Sequence, residues 1–576
     1  MAGKPSLNRR QLIAASGGAA ALAAAGSGEA AAKGRWDYAT DVLCVGSGAA
    51  ACAAAVAAID SGASAMIVEK MPMLGGTTAK SGGVAWIPNH FILKKEGIED
   101  KKEDAMRYMA RYSYPLAYDA SSPTLGLDEQ EYRLIEAFYD HGAATIDRLS
   151  ELGATHFKEF RMFQVDHDAP DYADHFPENK TPTRRALEPS EGSGSSAGGA
   201  SLAYQLETWL RGKNAPILTD TRVVKIIMED GRAIGVEAET EKGTIRIRAT
   251  KGVVFGTGGY AHNEELVRKH QIALYGACAM PGSTGDFIPM AQAVGAKMGP
   301  LGTAWRTQVL LEEALDNRAV GLGAFVLPGD SMILVNKYGK RCVNEKRGYN
   351  DRTMAHFTYD PTREEYPNHL MFMLFDARSI DAFGGAFPFP TDAREQPYLI
   401  SGDSWDDVFA EIAARLDKVK ARTGGVALDA AFANNAKAAI KAFNGYAKKG
   451  VDPELERGRT LYDREWHLLF SARREGTTQP ENQYPNITMH PFAKEGPFYA
   501  FILAPGALDT NGGPAINEFG QVLAAADDKP IPGLYGAGNC IASPSKAAYY
   551  GAGGTIGPAL TFGFIAGRHA ATRKAA

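Results

Sequence analysis

From Asp41 the chain runs Val42-Leu43-Cys44-Val45, a short stretch with no polar alternation, then Gly46-Ser47-Gly48, then an alanine-rich segment from Ala49 to Ala58. An uninterrupted apolar run of this length predicts a strand covered on both faces, followed by a glycine turn and a helix. A second such run, Ala65-Met66-Ile67-Val68, stops at Glu69. Further on, Thr219 to Met228 and Arg232 to Glu239 alternate like paired strands, and Gly243 to Ala249 continues the alternation. Gly252 to Phe255 then forms a separate strand pattern that enters Gly256-Thr257-Gly258-Gly259. Near the C-terminus, Gly533 to Asn539 repeats the strand-to-glycine logic, and Gly551 to Gly557 opens a last helix through Ala559 to Ala570. Between Leu301 and Asn486 the character differs, with strands expected around Phe325 to Val335 and helices over Asp406 to Arg422 and Ala427 to Lys449.

The first turn carries specific chemistry. Gly46 permits the tight bend, Gly48 lets a pyrophosphate approach the helix N-terminus, and Ala51 stands where a third glycine would allow close helix-strand packing. Glu69 ends the next strand, roughly 20 residues on, where a carboxylate meets ribose hydroxyls and repels a 2′-phosphate. Strand, glycines, helix and acid together predict a dinucleotide-binding βαβ unit. The expected fold class is therefore α/β: a Rossmann-like domain assembled from residues 36–300 and 487–576, with an α+β substrate domain inserted at 301–486. A chain of 576 residues has room for both.

Charge and cysteines narrow the partners. A formal charge of −5, from 62 basic and 67 acidic residues, disfavours a phosphate-backbone partner, so no nucleic acid is expected. Cys44, Cys52, Cys278, Cys342 and Cys540 form no CxxC, haem or zinc spacing. They read as small buried hydrophobes, and no metal is expected. Residues 1–35 stand apart: Asn8-Arg9-Arg10-Gln11-Leu12-Ile13, an alanine-rich run to Ala25, then Ala31-Ala32-Lys33. This has the form of a twin-arginine export signal and predicts a periplasmic protein, the alternative being a disordered basic tail on a cytoplasmic one.

Several further segments carry a resemblance. They are Glu69-Lys70, Gly75-Gly76-Thr77-Thr78, Ser81 to Asn89, Gly282 to Asp286, Val343-Asn344-Glu345, Pro497 to Ala500 and Tyr549 to Pro558. With the glycine turn, they make nearly everything after Trp36 resemble the fumarate reductase/succinate dehydrogenase flavoprotein superfamily, and within it the 3-ketosteroid Δ1-dehydrogenase branch. The resemblance implies FAD as cofactor and 1,2-desaturation of a 3-ketosteroid: a proton leaves C2 and a hydride leaves C1 for flavin N5. It assigns the base to Tyr349, its hydrogen-bonding helper to Tyr172, and the grip on the ketone oxygen to the Tyr549 hydroxyl and the Gly553 N–H. Tyr172 and the cations Lys346 and Arg347 are expected to lower the pKa of Tyr349. Pro170-Asp171-Tyr172 itself lies in a polar, irregular stretch that reads as a mobile loop.

Cofactor contacts are expected from Gly46, Ser47, Gly48, Ala49, Ala50, Glu69, Lys70, Gly76, Thr77, Thr78, Ser81, Gly82, Gly83, Val224, Gly258, Gly259, Asp286, Gly538, Asn539, Gly554, Thr555 and Ile556. The electron acceptor, quinone-like or otherwise, is left open, and peripheral membrane contact would suit an enzyme drawing sterol-like substrates from lipid. The chief rival is a fumarate- or urocanate-type reductase. Its His-Thr-x-Gly-Gly element reads Asp509-Thr510-Asn511-Gly512-Gly513 here, and the acid would repel a carboxylate substrate. A steroid 4,5-dehydrogenase and a non-catalytic flavin-binding protein compete as well.

Overall fold

The computed structural model describes residues 35–162, 167–190, 198–390, 396–468 and 481–574. The segment read as an export signal lies outside them. The predicted βαβ unit is present as β1 (Tyr38–Val45), α1 (Ala49–Asp60) and β2 (Ala65–Val68). It is followed by β3 (Ile217–Leu218), β4 (Arg222–Glu229), β5 (Arg232–Thr240) and β6 (Gly243–Phe255). The inserted region supplies β7 (Ala304–Leu310), β8 (Met332–Val335), α2 (Tyr349–Met354), β9 (Met371–Asp376), β10 (Ile400–Gly402), α3 (Trp405–Val419), α4 (Phe432–Lys449) and α5 (Leu461–Leu468). The chain ends in β11 (Phe498–Thr510), β12 (Gln521–Leu523), β13 (Pro530–Gly536) and α6 (Ile556–Thr572).

An eight-stranded sheet runs β12–β13–β6–β1–β2–β3, with β5 and β4 added along the first half of β6. Gly243 to Phe255 is one strand of 13 residues, where the alternation suggested two. The strand changes partner part-way: Gly243 to Arg248 pairs antiparallel with β5, while Ile247 to Phe255 pairs mostly in parallel register with β1. The central strands β2, β1, β6 and β13 are parallel, matching Val68 to Val45, Val45 to Phe255 and Phe255 to Gly536. Their C-terminal ends therefore stand in one row, where ligands of such sheets bind.

A five-stranded antiparallel sheet runs β7–β11–β9–β8, with β10 also on β11. Its middle strand, β11, comes from beyond residue 486, so the segment 487–576 contributes to both sheets. Strand period places Phe372, Leu374, Ile333, Val335, Ala500 and Ile502 on the face under α3 and α4. Met371, Met373, Phe375, Met332, Leu334 and Phe501 fill the other face. The strand expected over Phe325 to Val335 is confined to Met332–Val335, because Pro328 and the left-handed Gly329 break the run ahead of it. Helix α3 starts where Ser404 and Asp407 close a capping box, and α4 stops at a left-handed Gly450.

Helix α6 lies on α1 at unusually short range. A Cβ placed on Gly563 would stand 2.2 Å from the Ala50 carbonyl oxygen, and one on Gly567 would stand 2.0 Å from that of Ala54. The alanine-rich face of α1 and these two glycines let the backbones meet, locking the C-terminal helix beneath the dinucleotide turn.

Candidate active site

At the C-terminal row of the parallel strands lies a cleft of about 1070 Å³, part of it open to solvent. Its floor is the glycine turn. Gly46 sits at φ +103, and a Cβ there would come within 2.6 Å of the Gly256 carbonyl oxygen. Gly48 caps α1 without a side chain, the Ala49 N–H donates to the Thr78 hydroxyl at 3.0 Å, and the positive end of the helix faces the cleft. Ala51 is accommodated because Gly256 follows the facing strand β6, and a Cβ added there would be 2.9 Å from that of Ala51. The Ser47 hydroxyl donates to Glu69 Oε2 at 2.7 Å, and the Met71 N–H donates to Oε1 at 2.9 Å, so the acid is aimed from both sides. Lys70 Nζ donates to Thr284 at 2.6 Å and to Asp286 at 3.1 Å. Burial pushes the Asp286 carboxyl up, but Arg222 and Lys70 outweigh it and hold the group below the usual carboxylate range.

Gly46, Ser47, Gly48, Ala49, Ala50, Glu69, Lys70, Gly76, Thr77, Thr78, Ser81, Gly258, Asp286, Gly538, Asn539, Thr555 and Ile556 all line this cleft. Five of the expected contacts do not. Val224 turns away because strand period gives the inward position to Val223. The amides of Gly83, Gly259 and Gly554 are already taken by the Ser81 hydroxyl, Asp509 and the Gly551 carbonyl. Gly82 is exposed. The residues present fit a dinucleotide: the N-terminal ends of α1 and α6 face a cleft in which the buried Thr257 hydroxyl has no hydrogen-bond partner among the described residues. Thr257, Thr221, Val223, Met280, Ser283 and Met290 also line the cleft and were not among the expected contacts, since none of these side chains carries a spacing signal of its own.

Three of the nominated catalytic groups meet although they come from distant segments. Tyr172, Tyr349 and Tyr549 are each no more than 5% exposed. The Tyr172 hydroxyl donates to that of Tyr349 at 3.1 Å. The Tyr172 ring stacks on Tyr549 at 5.2 Å and 11°, and Tyr349 meets Tyr549 edge-on at 5.4 Å. Gly553 follows Tyr549 in the turn before α6 at φ +88, and a Cβ there would strike the Val84 carbonyl at 2.3 Å. Its buried N–H donates to no backbone carbonyl among the described residues. The Tyr549 hydroxyl and the Gly553 amide thus belong to one turn, the two kinds of donor that a grip on a carbonyl oxygen uses.

The Tyr172 segment is firmly anchored, contrary to its loop-like sequence. Tyr172 N–H donates to the Tyr550 carbonyl at 3.0 Å, and Asp171 accepts the Trp86 indole at 2.7 Å. Arg185, fully buried, bridges Asp171 and Asp100 at 2.6 Å each. The aid expected from Lys346 and Arg347 is also absent. Lys346 Nζ is spent on the Leu327 and Gly329 carbonyls, and Arg347 turns to Asp463, Thr460 and His175. Burial accordingly drives Tyr349 well above the ordinary phenol range, with Tyr172 and Tyr549 adding to the shift.

Asp509 proves to be part of the cleft. Its carboxylate accepts the Gly259 N–H at 2.9 Å, the Ser283 hydroxyl at 2.8 Å and the Asn539 amide at 3.3 Å. Asn539 in turn accepts the Trp305 indole at 2.9 Å, and Trp305 packs edge-on against Tyr549 at 5.5 Å. This chain links the cofactor cleft to the tyrosines.

The FAD binding domain family matches residues 41–556. A 4-oxocyclohexanecarboxylate 2-dehydrogenase of Sinomonas cyclohexanicum is 30% identical over 93% of both chains. A 3-oxosteroid 1-dehydrogenase of Mycolicibacterium smegmatis is 29% identical, over 93% of this chain and 98% of that one. Among solved structures, the 3-ketosteroid Δ1-dehydrogenase of Sterolibacterium denitrificans, in complex with 1,4-androstadiene-3,17-dione, superposes with a TM-score of 0.75 at 25% identity, over 93% of this chain and 100% of that one. The chain belongs to this FAD-binding family and is an FAD-dependent oxidoreductase.

Proposed function

We propose that the protein desaturates the carbons beside a ring ketone, as in the 1,2-desaturation of a 3-ketosteroid. The observation that carries this reading is the meeting of Tyr172, Tyr349 and Tyr549 beside the Gly553 turn. The Tyr549 hydroxyl and Gly553 N–H hold the ketone oxygen and stabilise the charge that develops there as the neighbouring carbon loses its proton. The Tyr349 phenolate takes that proton and becomes neutral, Tyr172, hydrogen-bonded to it, steadying the phenolate beforehand, while the negative charge passes to the ketone oxygen. Bound FAD supplies the hydride acceptor. The aromatic walls keep water from the reacting carbons.

Two observations weigh on the substrate. Asp509, where the rival reductases carry a histidine, lies in the cofactor cleft and offers no cation to clamp a dicarboxylate, which weighs against the fumarate-type reductase. The relative named for 4-oxocyclohexanecarboxylate makes a single-ring oxo acid the second reading. Anaerobic addition of androst-4-ene-3,17-dione or 4-oxocyclohexanecarboxylate should bleach the yellow enzyme; an unchanged flavin spectrum with every cyclic ketone sinks the proposal. Export by the twin-arginine route belongs to the same proposal and rests on Asn8 to Ile13 with the alanine-rich run behind it. Cell fractionation tests it: mature protein in the periplasm supports export, and cytosolic protein retaining Met1 removes it.

A further inference from the structure

Helix α5 presents Tyr462 and Trp466 one turn apart, hence on one face. Their rings lie 5.3 Å apart at 20°, and both meet the Tyr172 ring, at 5.0 and 5.3 Å. Tyr462 is 1% exposed and Trp466 6%. Even so, the Tyr462 hydroxyl and the Trp466 indole N–H have no hydrogen-bond partner among the described residues. Three other aromatic donors around the cluster are paired: Tyr172 with Tyr349, Tyr112 with Asp351, the Trp305 indole with Asn539, whereas Asp174 Oδ1 and His467 Nδ1 also lack a hydrogen-bond partner among the described residues. Buried polar groups in folded proteins are nearly always satisfied, so two open donors side by side against the catalytic tyrosines call for a partner that arrives with a ligand.

The chemistry of that partner follows from the donors. An indole N–H only donates, and the tyrosine hydroxyl can donate beside it, so the pair together suits an oxygen acceptor. A second observation points the same way. Arg352, nearly fully buried, is held by the Gln308 side chain and by the Glu345, Arg347 and Ala324 carbonyls, with no ion pair among the described residues. Its charge is the largest acting on Tyr462.

We propose that Tyr462 and Trp466 form a second recognition point for the substrate, receiving a carbonyl or carboxylate oxygen remote from the reacting ketone and so determining specificity. The inference rests on the reading of the tyrosine cluster as the reaction centre. Its test uses two pairs of probes that differ in the second oxygen-bearing group: 4-oxocyclohexanecarboxylate against cyclohexanone, and androst-4-ene-3,17-dione against androst-4-en-3-one. Affinities are measured by calorimetry on the FAD-loaded enzyme reduced with dithionite, where no ligand is turned over.

Tyr462→Phe and Trp466→Phe keep the rings and remove one donor each. Each should weaken the oxygen-bearing member of one pair about five- to tenfold and leave its counterpart within about twofold. The responding pair tells whether the oxygen is a carboxylate on a single ring or a ketone on a distant one. Unchanged affinities, equal losses for both members of each pair, or a wild type that does not prefer either oxygen-bearing probe would each overturn the assignment. Because the flavin is already reduced, this result is separate from whether the oxidised enzyme desaturates the ketone.

Discussion

Tyr349 is surrounded by hydroxyls and rings, with no cation directed at its oxygen among the described residues, and its phenol is harder to ionise than one in water. If it is the base, the working form is the deprotonated one, and its fraction below so high a pKa grows about tenfold per pH unit. The flavin-bleaching rate at low substrate should therefore climb steadily from roughly pH 7 to pH 9.5 without levelling. A plateau near neutrality would show that another group takes the proton. Tyr349→Phe should cost on the order of 10² to 10⁴ in that rate, and Tyr549→Phe on the order of 10² to 10³, while both retain yellow FAD. Normal rates in either variant would remove the residue from the mechanism. The motif around Tyr549 was readable in the sequence because a glycine turn opening a helix has a recognisable pattern. The surroundings of Tyr349 were not, since the direction in which Lys346 and Arg347 point depends on carbonyls and acids brought in from residues 327, 329 and 463.

Elements were legible where one rule governed them. The βαβ unit appeared within three residues of its expected bounds, because apolar runs, glycines and the closing acid all served one geometry. Phe325 to Val335 and Gly243 to Phe255 were misjudged for opposite reasons, a break at Gly329 in the first and a change of pairing partner in the second. The Tyr172 segment looked mobile because its order is tertiary: Arg185 neutralises Asp171 and Asp100 inside the protein. Arg185→Met strands two buried carboxylates and should lower unfolding stability by about 3–5 kcal/mol, read by chemical denaturation. A loss below about 1 kcal/mol would mean that the carboxylates find other partners. The α1–α6 contact offers an independent check. Gly567→Ala drives a methyl into the Ala54 carbonyl and should cost about 1–3 kcal/mol, with weaker FAD retention because the start of α6 lines the cleft. An unchanged melting temperature would show that the helices can slide apart freely.

At the scale of the molecule, the cofactor cleft is the seam. Its lining runs from Val45 to Ala559, and Asp509 at the end of β11 ties the antiparallel sheet to the Gly259 turn and to Asn539. The ends of α1 and α6 and the buried Thr257 hydroxyl converge on this cleft, so FAD bound there should stabilise the seam. Stripping the flavin and titrating it back should raise the melting temperature with the logarithm of FAD concentration, a gain of about 2.7 kcal/mol at a hundredfold excess over Kd. The location of the gain is more telling than its size. Amide exchange should slow at residues 46–51, 256–259 and 537–556, which surround the cleft, while α3 and α4, packed in their own core across the second sheet, stay as they were. Uniform slowing across both sheets would mean that FAD acts on global stability alone, and no slowing at 46–51 would place the pyrophosphate somewhere other than the start of α1.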